Sequence, residues 1–177
     1  MSETLRESIE SVPEFLAHAL ELEVESVQRY QELADSMETH HNEEVAELFR
    51  QLAVFSQEHA QEVQDRVGGH ELPKIPPWDF KWNCPGSPES GDCTDGEVSY
   101  LMNTRQALEL ALHNEGRGRD FYAHVADSSA NPEVQAMAAE MAEEETEHVE
   151  TLRNWMIQAG HLPEQPQDDM DPPNMPE

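Results

Sequence analysis

The feature that most constrains the fold is an internal repeat of long helical patterns. Apolar residues recur at steps of three and four positions, as on one face of an amphipathic helix, over residues 11–38, 42–67, 104–127 and 131–159. The unit Glu23-x6-Tyr30 in the first segment recurs as Glu115-x6-Tyr122 in the third. Short turns join the two segments of each pair. The sequence therefore predicts two related helical hairpins.

Helix-start and helix-stop residues mark the limits of these segments. Ser11 followed by Pro13, and Asn131, are typical helix starts, whereas Gly68 is a typical stop. Between the hairpins, residues 69–103 are rich in proline and predict a long crossover, which clustered aromatic residues are expected to anchor. Two helical hairpins joined by one long crossover make an all-α four-helix bundle of the ferritin-like type.

The domain organisation that we predict is one bundle with a tail. The bundle domain spans residues 1–160, and the proline-rich acidic segment 161–177 is predicted to be disordered. Cys84 and Cys93 both lie in the crossover. Two thiols are too few for a tetrathiolate metal site, so the alternatives are a disulfide or two free thiols.

The charge balance excludes several classes of partner. The chain has 38 Asp and Glu residues against 10 Lys and Arg residues, for a formal net charge of -28. Such a surface repels the phosphates of nucleic acids and anionic lipid headgroups, and it attracts cations. No apolar run is long enough to span a membrane, and the amino terminus lacks a signal-peptide pattern. We therefore expect a cytoplasmic protein without nucleic-acid or membrane partners.

Polar side chains interrupt the apolar stripes of the helices at matching depths. These stripe positions are Glu23, Ser56, His59, Glu115, Glu145 and His148. Buried carboxylates are costly unless they are paired or bind a metal. A glutamate from each of two helices, with Glu-x-x-His on the other two, is the ligand set of di-iron and di-manganese bundles. The pattern therefore predicts a metal site in the middle of the bundle, for iron or alternatively manganese.

These elements, together with Phe49-x3-Ala53-x5-His59-Ala60 on the second helix, resemble the rubrerythrin family of the ferritin-like superfamily. The resemblance implies an oxidoreductase of the peroxidase or ferroxidase type, which oxidises Fe(II) while it reduces peroxide or dioxygen. A pair of Cys-x-x-Cys motifs is absent from the sequence, so the electrons would have to come from an external donor. A homodimer is expected.

The resemblance also implies the ligands. Glu23 and His59 would serve one iron, Glu115 and His148 the other, and Glu145 would bridge them. Where the family has a second bridging glutamate, this chain has Ser56. Either two irons, with water or another carboxylate in the gap, or a single iron is therefore expected, with Ser56 beside an open coordination position. Glu62, one turn beyond His59, is a reserve ligand.

Two sets of alternatives stay open. Arg119 lies on the third stripe and is able to neutralise Glu115 without any metal. The bundle would then be a non-catalytic binding or structural protein with a mononuclear or lost metal site. Besides Glu145, the candidate catalytic residues are Tyr30 and Tyr122. Each tyrosine is either a core residue with a hydrogen-bonded hydroxyl or a redox group beside the metal.

Overall fold

The computed structural model describes residues 7–82, 86–89, 99 and 101–160. This part of the chain contains four α-helices, with the bounds α1 Val12–Thr39, α2 Glu43–Val67, α3 Thr104–Ser128 and α4 Pro132–Gln158. A short 3-10 turn, Pro77–Asp79, lies in the crossover. The predicted all-α four-helix bundle is confirmed, and each helix begins and ends within one residue of its predicted position.

The helices pack as two antiparallel hairpins. α1 lies along α2 and α3 lies along α4, while α2 contacts α3 and α1 contacts α4 where the hairpins meet. None of the helices in the described ranges is long and apolar enough to cross a membrane.

Side-chain caps explain where three of the helices begin. The Ser11 hydroxyl accepts from the amide of Glu14 at 3.2 Å, and the Asn131 side chain accepts from the amide of Glu133 at 2.9 Å. Asn103 and Gln106 form a reciprocal capping box at the start of α3. Asn42 precedes α2 without capping it. Its side-chain amide instead donates to the Met102 carbonyl at 2.7 Å, which fixes the end of the crossover to the first hairpin.

The apolar core is divided into two clusters by a polar layer. One cluster lies where α1 ends, and its buried members include Leu33, Met37, Phe49, Leu108 and Met156. The other lies where α1 begins, and its members include Phe15, Leu22, Val63, Phe121 and Met141. Between these clusters, each helix carries polar residues of the inward stripe. They are a glutamate on α1 and on α3, a serine and a histidine on α2, and a glutamate and a histidine on α4. The fold therefore shields this polar layer on both sides with packed apolar side chains.

Aromatic residues of the crossover dock against α1 and α3, as expected, but Trp78 does not take part. Phe80 and Trp82 stack with ring centroids 4.4 Å apart, and both contact the buried ring of His18. The amide of Lys81 donates to His18 Nε2 at 2.9 Å. Trp78 is 82% exposed. The predictions for the two cysteines and for the tail 161–177 fall on residues outside the described ranges.

Candidate metal centre

Three carboxylates from three helices lie buried in the polar layer. Glu23 of α1, Glu145 of α4 and Glu115 of α3 are 1%, 2% and 7% exposed. Each helix carries its glutamate on the face that also carries core residues, because the residue four positions before each glutamate is apolar and buried: Ala19, Ala111 and Met141. The helical packing thus brings together carboxyl groups that repel one another when they are ionised.

Two histidines connect these carboxylates into a continuous network. His59 Nδ1 lies 3.7 Å from Glu23 Oε2 and 3.8 Å from Glu145 Oε1. His148 Nδ1 lies 3.2 Å from Glu145 Oε2 and 3.6 Å from Glu115 Oε2. The two imidazole rings stack with their centroids 4.2 Å apart. All five residues that the sequence predicts as ligands therefore lie in one cluster, and the two oxygens of Glu145 face different histidines.

Each hairpin holds the glutamate of the other through a buried tyrosine. The Tyr30 hydroxyl of α1 donates to Glu115 Oε1 at 2.9 Å, and the Tyr122 hydroxyl of α3 donates to Glu23 Oε1 at 3.0 Å. Burial, with the nearby carboxylates, raises the pKa of both tyrosines well above the usual value, so both hydroxyls stay protonated as donors. The repeated Glu-x6-Tyr unit is therefore a reciprocal pair of hydrogen bonds that leaves one oxygen of each glutamate facing a histidine.

The charges in the cluster are unbalanced. Burial raises the pKa of Glu145 well above its usual value, and the carboxylates of Glu115 and Glu23 raise it further. Burial also raises the pKa of Glu23, although His59 opposes this rise. Burial acts on Glu115 in the same direction, but contact with His148 outweighs it and lowers the pKa of Glu115. Burial lowers the pKa of His148, whereas Glu115 raises it and prevails. The layer thus has more carboxylates than its histidines can neutralise, a surplus that bound cations would compensate.

Ser56 faces the cluster from α2. Its side chain is buried, its hydroxyl donates to the Leu52 carbonyl at 3.2 Å, and it lies 3.0 Å from the hydroxyl of Ser26. A cleft of about 260 Å³ runs between α2 and α4 to this position, where its walls include Ser56, Glu23, Glu115 and both histidines. The aromatic rings of Phe55 and Trp155, 5.9 Å apart, stand at the same cleft. Small molecules therefore have a path from solvent to the carboxylates beside Ser56.

Two other candidates lie away from the centre of the cluster. Glu62 is exposed, at the wall of the cleft, so it is not among the buried carboxylates. Arg119 does not neutralise Glu115. It pairs with Asp120 at 2.9 Å and its side chain is 35% exposed, because α3 turns Gly118 rather than Arg119 towards the interior. The alternative in which Arg119 neutralises the buried glutamate is therefore not supported by these contacts.

This layer contains a fourth buried carboxylate that the sequence patterns do not indicate. Glu89, in the described segment 86–89 of the crossover, is 2% exposed, and one of its oxygens lies within 4.8 Å of oxygens from Glu115 and Glu145. Burial, and then the charges of those two residues and of Glu23, raise the pKa of Glu89 well above its usual value. Helical periodicity does not apply to a proline-rich loop, so the stripes gave no indication of it.

The donor set suits hard divalent cations. Carboxylate oxygens and imidazole nitrogens without thiolates are the ligands that iron and manganese accept. Potential ligand atoms come within 4.8 Å of one another in two groups, His59 with Glu145 and His148, and Glu89 with Glu115 and Glu145. Glu145 belongs to both groups, so its carboxylate is placed to contribute to either of them.

Comparison with known proteins identifies the family of this chain. A solved structure of an uncharacterized conserved protein from Magnetospirillum magnetotacticum MS-1 is similar, with 42% sequence identity, a TM-score of 0.64, and coverage of 88% of this chain and 97% of that chain. The comparison with curated proteins gave no significant match. The family model for rubrerythrin matches residues 14–75 and 106–170, which include the helices that carry all five predicted ligands. This chain therefore belongs to the rubrerythrin family.

Proposed function

We propose that the protein binds two iron ions in the polar layer and oxidises Fe(II) with reduction of peroxide or dioxygen. The observation that carries the proposal is the surplus of buried carboxylates linked through His59 and His148, with Glu145 in contact with both histidines. In a metal-free bundle these buried charges would lower stability, since apolar residues at the same positions would avoid the free-energy cost of burying them. Membership of the rubrerythrin family supports the same assignment.

The proposed roles follow the contacts. Glu23 and His59 hold one ion, Glu115 and His148 hold the other, and Glu145 bridges because its two oxygens face opposite histidines. When bound, a pair of Fe(II) ions supplies one electron each, which together with two protons suffices to reduce one hydrogen peroxide to two waters. An external donor must then return the electrons.

The protein contributes orientation, shielding and access. Tyr30 and Tyr122 hold one oxygen of Glu115 and of Glu23, so these carboxylates are positioned before a metal arrives. The two apolar clusters exclude water from both ends of the layer. The cleft beside Ser56 admits a small oxidant from one side, and the acidic surface concentrates cations near its entrance.

Anaerobic reconstitution with Fe(II), followed by metal analysis per chain, tests the proposal. Wild type should retain two irons and consume hydrogen peroxide when a reductant is supplied. Glu145→Gln should lose iron, whereas Glu147→Gln, an exposed glutamate on the same helix, should behave as wild type. Iron retention by wild type no greater than by Glu145→Gln would refute the proposal and favour a non-catalytic bundle with a binding or structural role.

A further inference from the structure

We infer that Glu89, carried by the crossover, is a ligand of this metal centre and supplies the carboxylate that α2 lacks at Ser56. The inference rests on the proposed function and adds a ligand to it. It assigns the crossover a part in the chemistry beyond joining the two hairpins.

The described segment 86–89 is held against the bundle in a fixed place. All four of its residues are buried, and the amide of Ser87 donates to Glu25 Oε2 on α1 at 2.7 Å. Pro88 restricts the backbone immediately before Glu89. The glutamate therefore enters the bundle from an anchored turn that contacts Glu25 of α1 and Gly118 of α3.

The carboxyl group of Glu89 lies among the other ligands with one oxygen free to bind. The Ser26 hydroxyl forms a hydrogen bond with this carboxyl, and Ser26 in turn lies 3.0 Å from Ser56. The other oxygen, Oε1, is fully buried and has no hydrogen-bond partner within the described part of the chain. One oxygen of Glu89 also belongs to a group of potential ligand atoms, with Glu115 and Glu145, that lie within 4.8 Å of one another. Buried oxygens without a partner are rare in proteins, and a cation would satisfy this one.

Gly118 makes room for this side chain. A Cβ atom at position 118 would lie 1.8 Å from Glu89 Oε1 and 2.9 Å from its Cδ atom, so no residue larger than glycine is compatible with Glu89 in this place. Gly118 lies inside α3, where glycine weakens a helix. In contrast, a Cβ atom at Gly116 would meet nothing within 4 Å. The glycine at 118 therefore serves the approach of the loop carboxylate.

Charge balance agrees with four carboxylates. Glu23, Glu89, Glu115 and Glu145 together carry the charge that neutralises two divalent cations while both histidines stay neutral as ligands. The helices alone provide three carboxylates in this layer, which would leave a buried excess of positive charge. Ser56 cannot provide the fourth, because its hydroxyl carries no charge.

Glu89→Gln and Gly118→Ala test the inference by two independent routes. Glu89→Gln replaces the carboxylate with a neutral group of the same shape. Gly118→Ala leaves every carboxylate in the sequence but displaces Glu89. Gly116→Ala is the matched control, since it makes the same substitution two residues away in open space. Each variant is loaded anaerobically with Fe(II), and iron per chain, affinity by equilibrium dialysis and the Tm with and without metal are measured.

We expect both test variants to lose one iron, or to bind iron at least about tenfold more weakly, while Gly116→Ala matches wild type. Without metal, Glu89→Gln should be at least as stable as wild type, because it removes a buried carboxyl group. If Glu89 is only a structural anchor, its replacement should lower the metal-free Tm and leave iron binding unchanged. That result would overturn the inference.

A rescue variant separates this inference from the proposed function. Ser56→Glu in the Glu89→Gln background returns a carboxylate to the layer from α2, so it should recover part of the lost iron. If wild type binds iron and Glu89→Gln binds it equally well, the inference fails and the proposed function stands. If wild type binds no iron, both fail.

Discussion

Replacing Glu145 with glutamine should stabilise the metal-free protein while it removes metal binding. Glu145 is buried among other carboxyl groups, and it forms a hydrogen bond with Glu115 that favours its protonated form. Glutamine is a neutral group of the same shape and is able to donate a similar hydrogen bond. The variant therefore resembles the protonated glutamate that the metal-free fold prefers, without the cost of taking up a proton.

The magnitude follows from proton linkage. The pKa of Glu145 is raised in the folded state above the ordinary value of 4.5. Between those two values the folded protein binds a proton that the unfolded chain has released, so stability falls as the pH rises. At pH 7 the largest loss is about 3 kcal/mol, at 1.36 kcal/mol for each pH unit above 4.5. For a chain of this size, recovering the whole of that amount would raise the Tm by roughly 6–12 °C, which is the upper limit of the effect.

Urea unfolding in the presence of a chelator, followed by circular dichroism at pH 5 and pH 7, measures this effect. Glu145→Gln should exceed wild type in stability at pH 7 and by much less at pH 5, and exposed Glu147→Gln should show no such difference. Fe(II) should reverse the order, because only wild type gains stability from the bound metal. A metal-free Glu145→Gln that is less stable than wild type at both pH values would refute the reasoning.

Three further predictions concern a tyrosine of the centre, a buried histidine and the docking of the crossover. Tyr122→Phe removes the hydroxyl that holds Glu23, so urea unfolding should show a decrease of about 1 kcal/mol in the free energy of unfolding. Equilibrium dialysis should show a weaker affinity for Fe(II), and an unchanged affinity would exclude a positioning role for Tyr122. Burial lowers the pKa of His18, so wild type should lose stability between pH 6.5 and 5.5 as the unfolded chain takes up a proton, by at most about 1 kcal/mol. His18→Gln should show a flatter pH profile. Trp82→Ala should lower the Tm because Trp82 packs on His18. Trp78→Ala should change stability by less than about 0.5 kcal/mol because Trp78 is 82% exposed. Equal Tm values for the two variants would contradict the docking of the crossover.

The sequence predicts the helices and the helical candidate ligands because both depend on local, periodic information. Apolar spacing fixes which face of each helix is buried, and a polar residue on that face is conspicuous. Glu23 and Glu115 could be placed at equal depth because they begin the same repeated unit. The prediction that Arg119 lies on the inward stripe is wrong for a related reason. A stripe continued from Glu115 passes between positions 118 and 119, and small differences in helix rotation decide which of the two faces inward.

Glu89 could not be found in this way, because its position depends on contacts between segments that are distant in sequence. The turn is fixed by Glu25 on α1, and the space for its side chain is created by Gly118 on α3. Neither contact follows from the composition of a proline-rich loop. The one local signal is the glycine itself, a helix-weakening residue at an inward position one turn after Glu115.

The repeat also explains why the centre needs a carboxylate from the crossover near α2 but not near α4. Both hairpins carry the Glu-x6-Tyr unit and an inward histidine, but only α4 pairs its histidine with a glutamate one turn before it, whereas α2 has Ser56 there. A symmetric pair of ions would require a carboxylate near that serine. Glu89 comes close to that place through Ser26, which lies 3.0 Å from Ser56. Ligands on helices are positioned more precisely than ligands on loops, even where the loop is anchored, so the ion next to Glu89 should exchange faster than its neighbour. Stopped-flow chelation of the reconstituted protein should therefore show two phases of iron release, and Glu89→Gln should retain the slow phase alone.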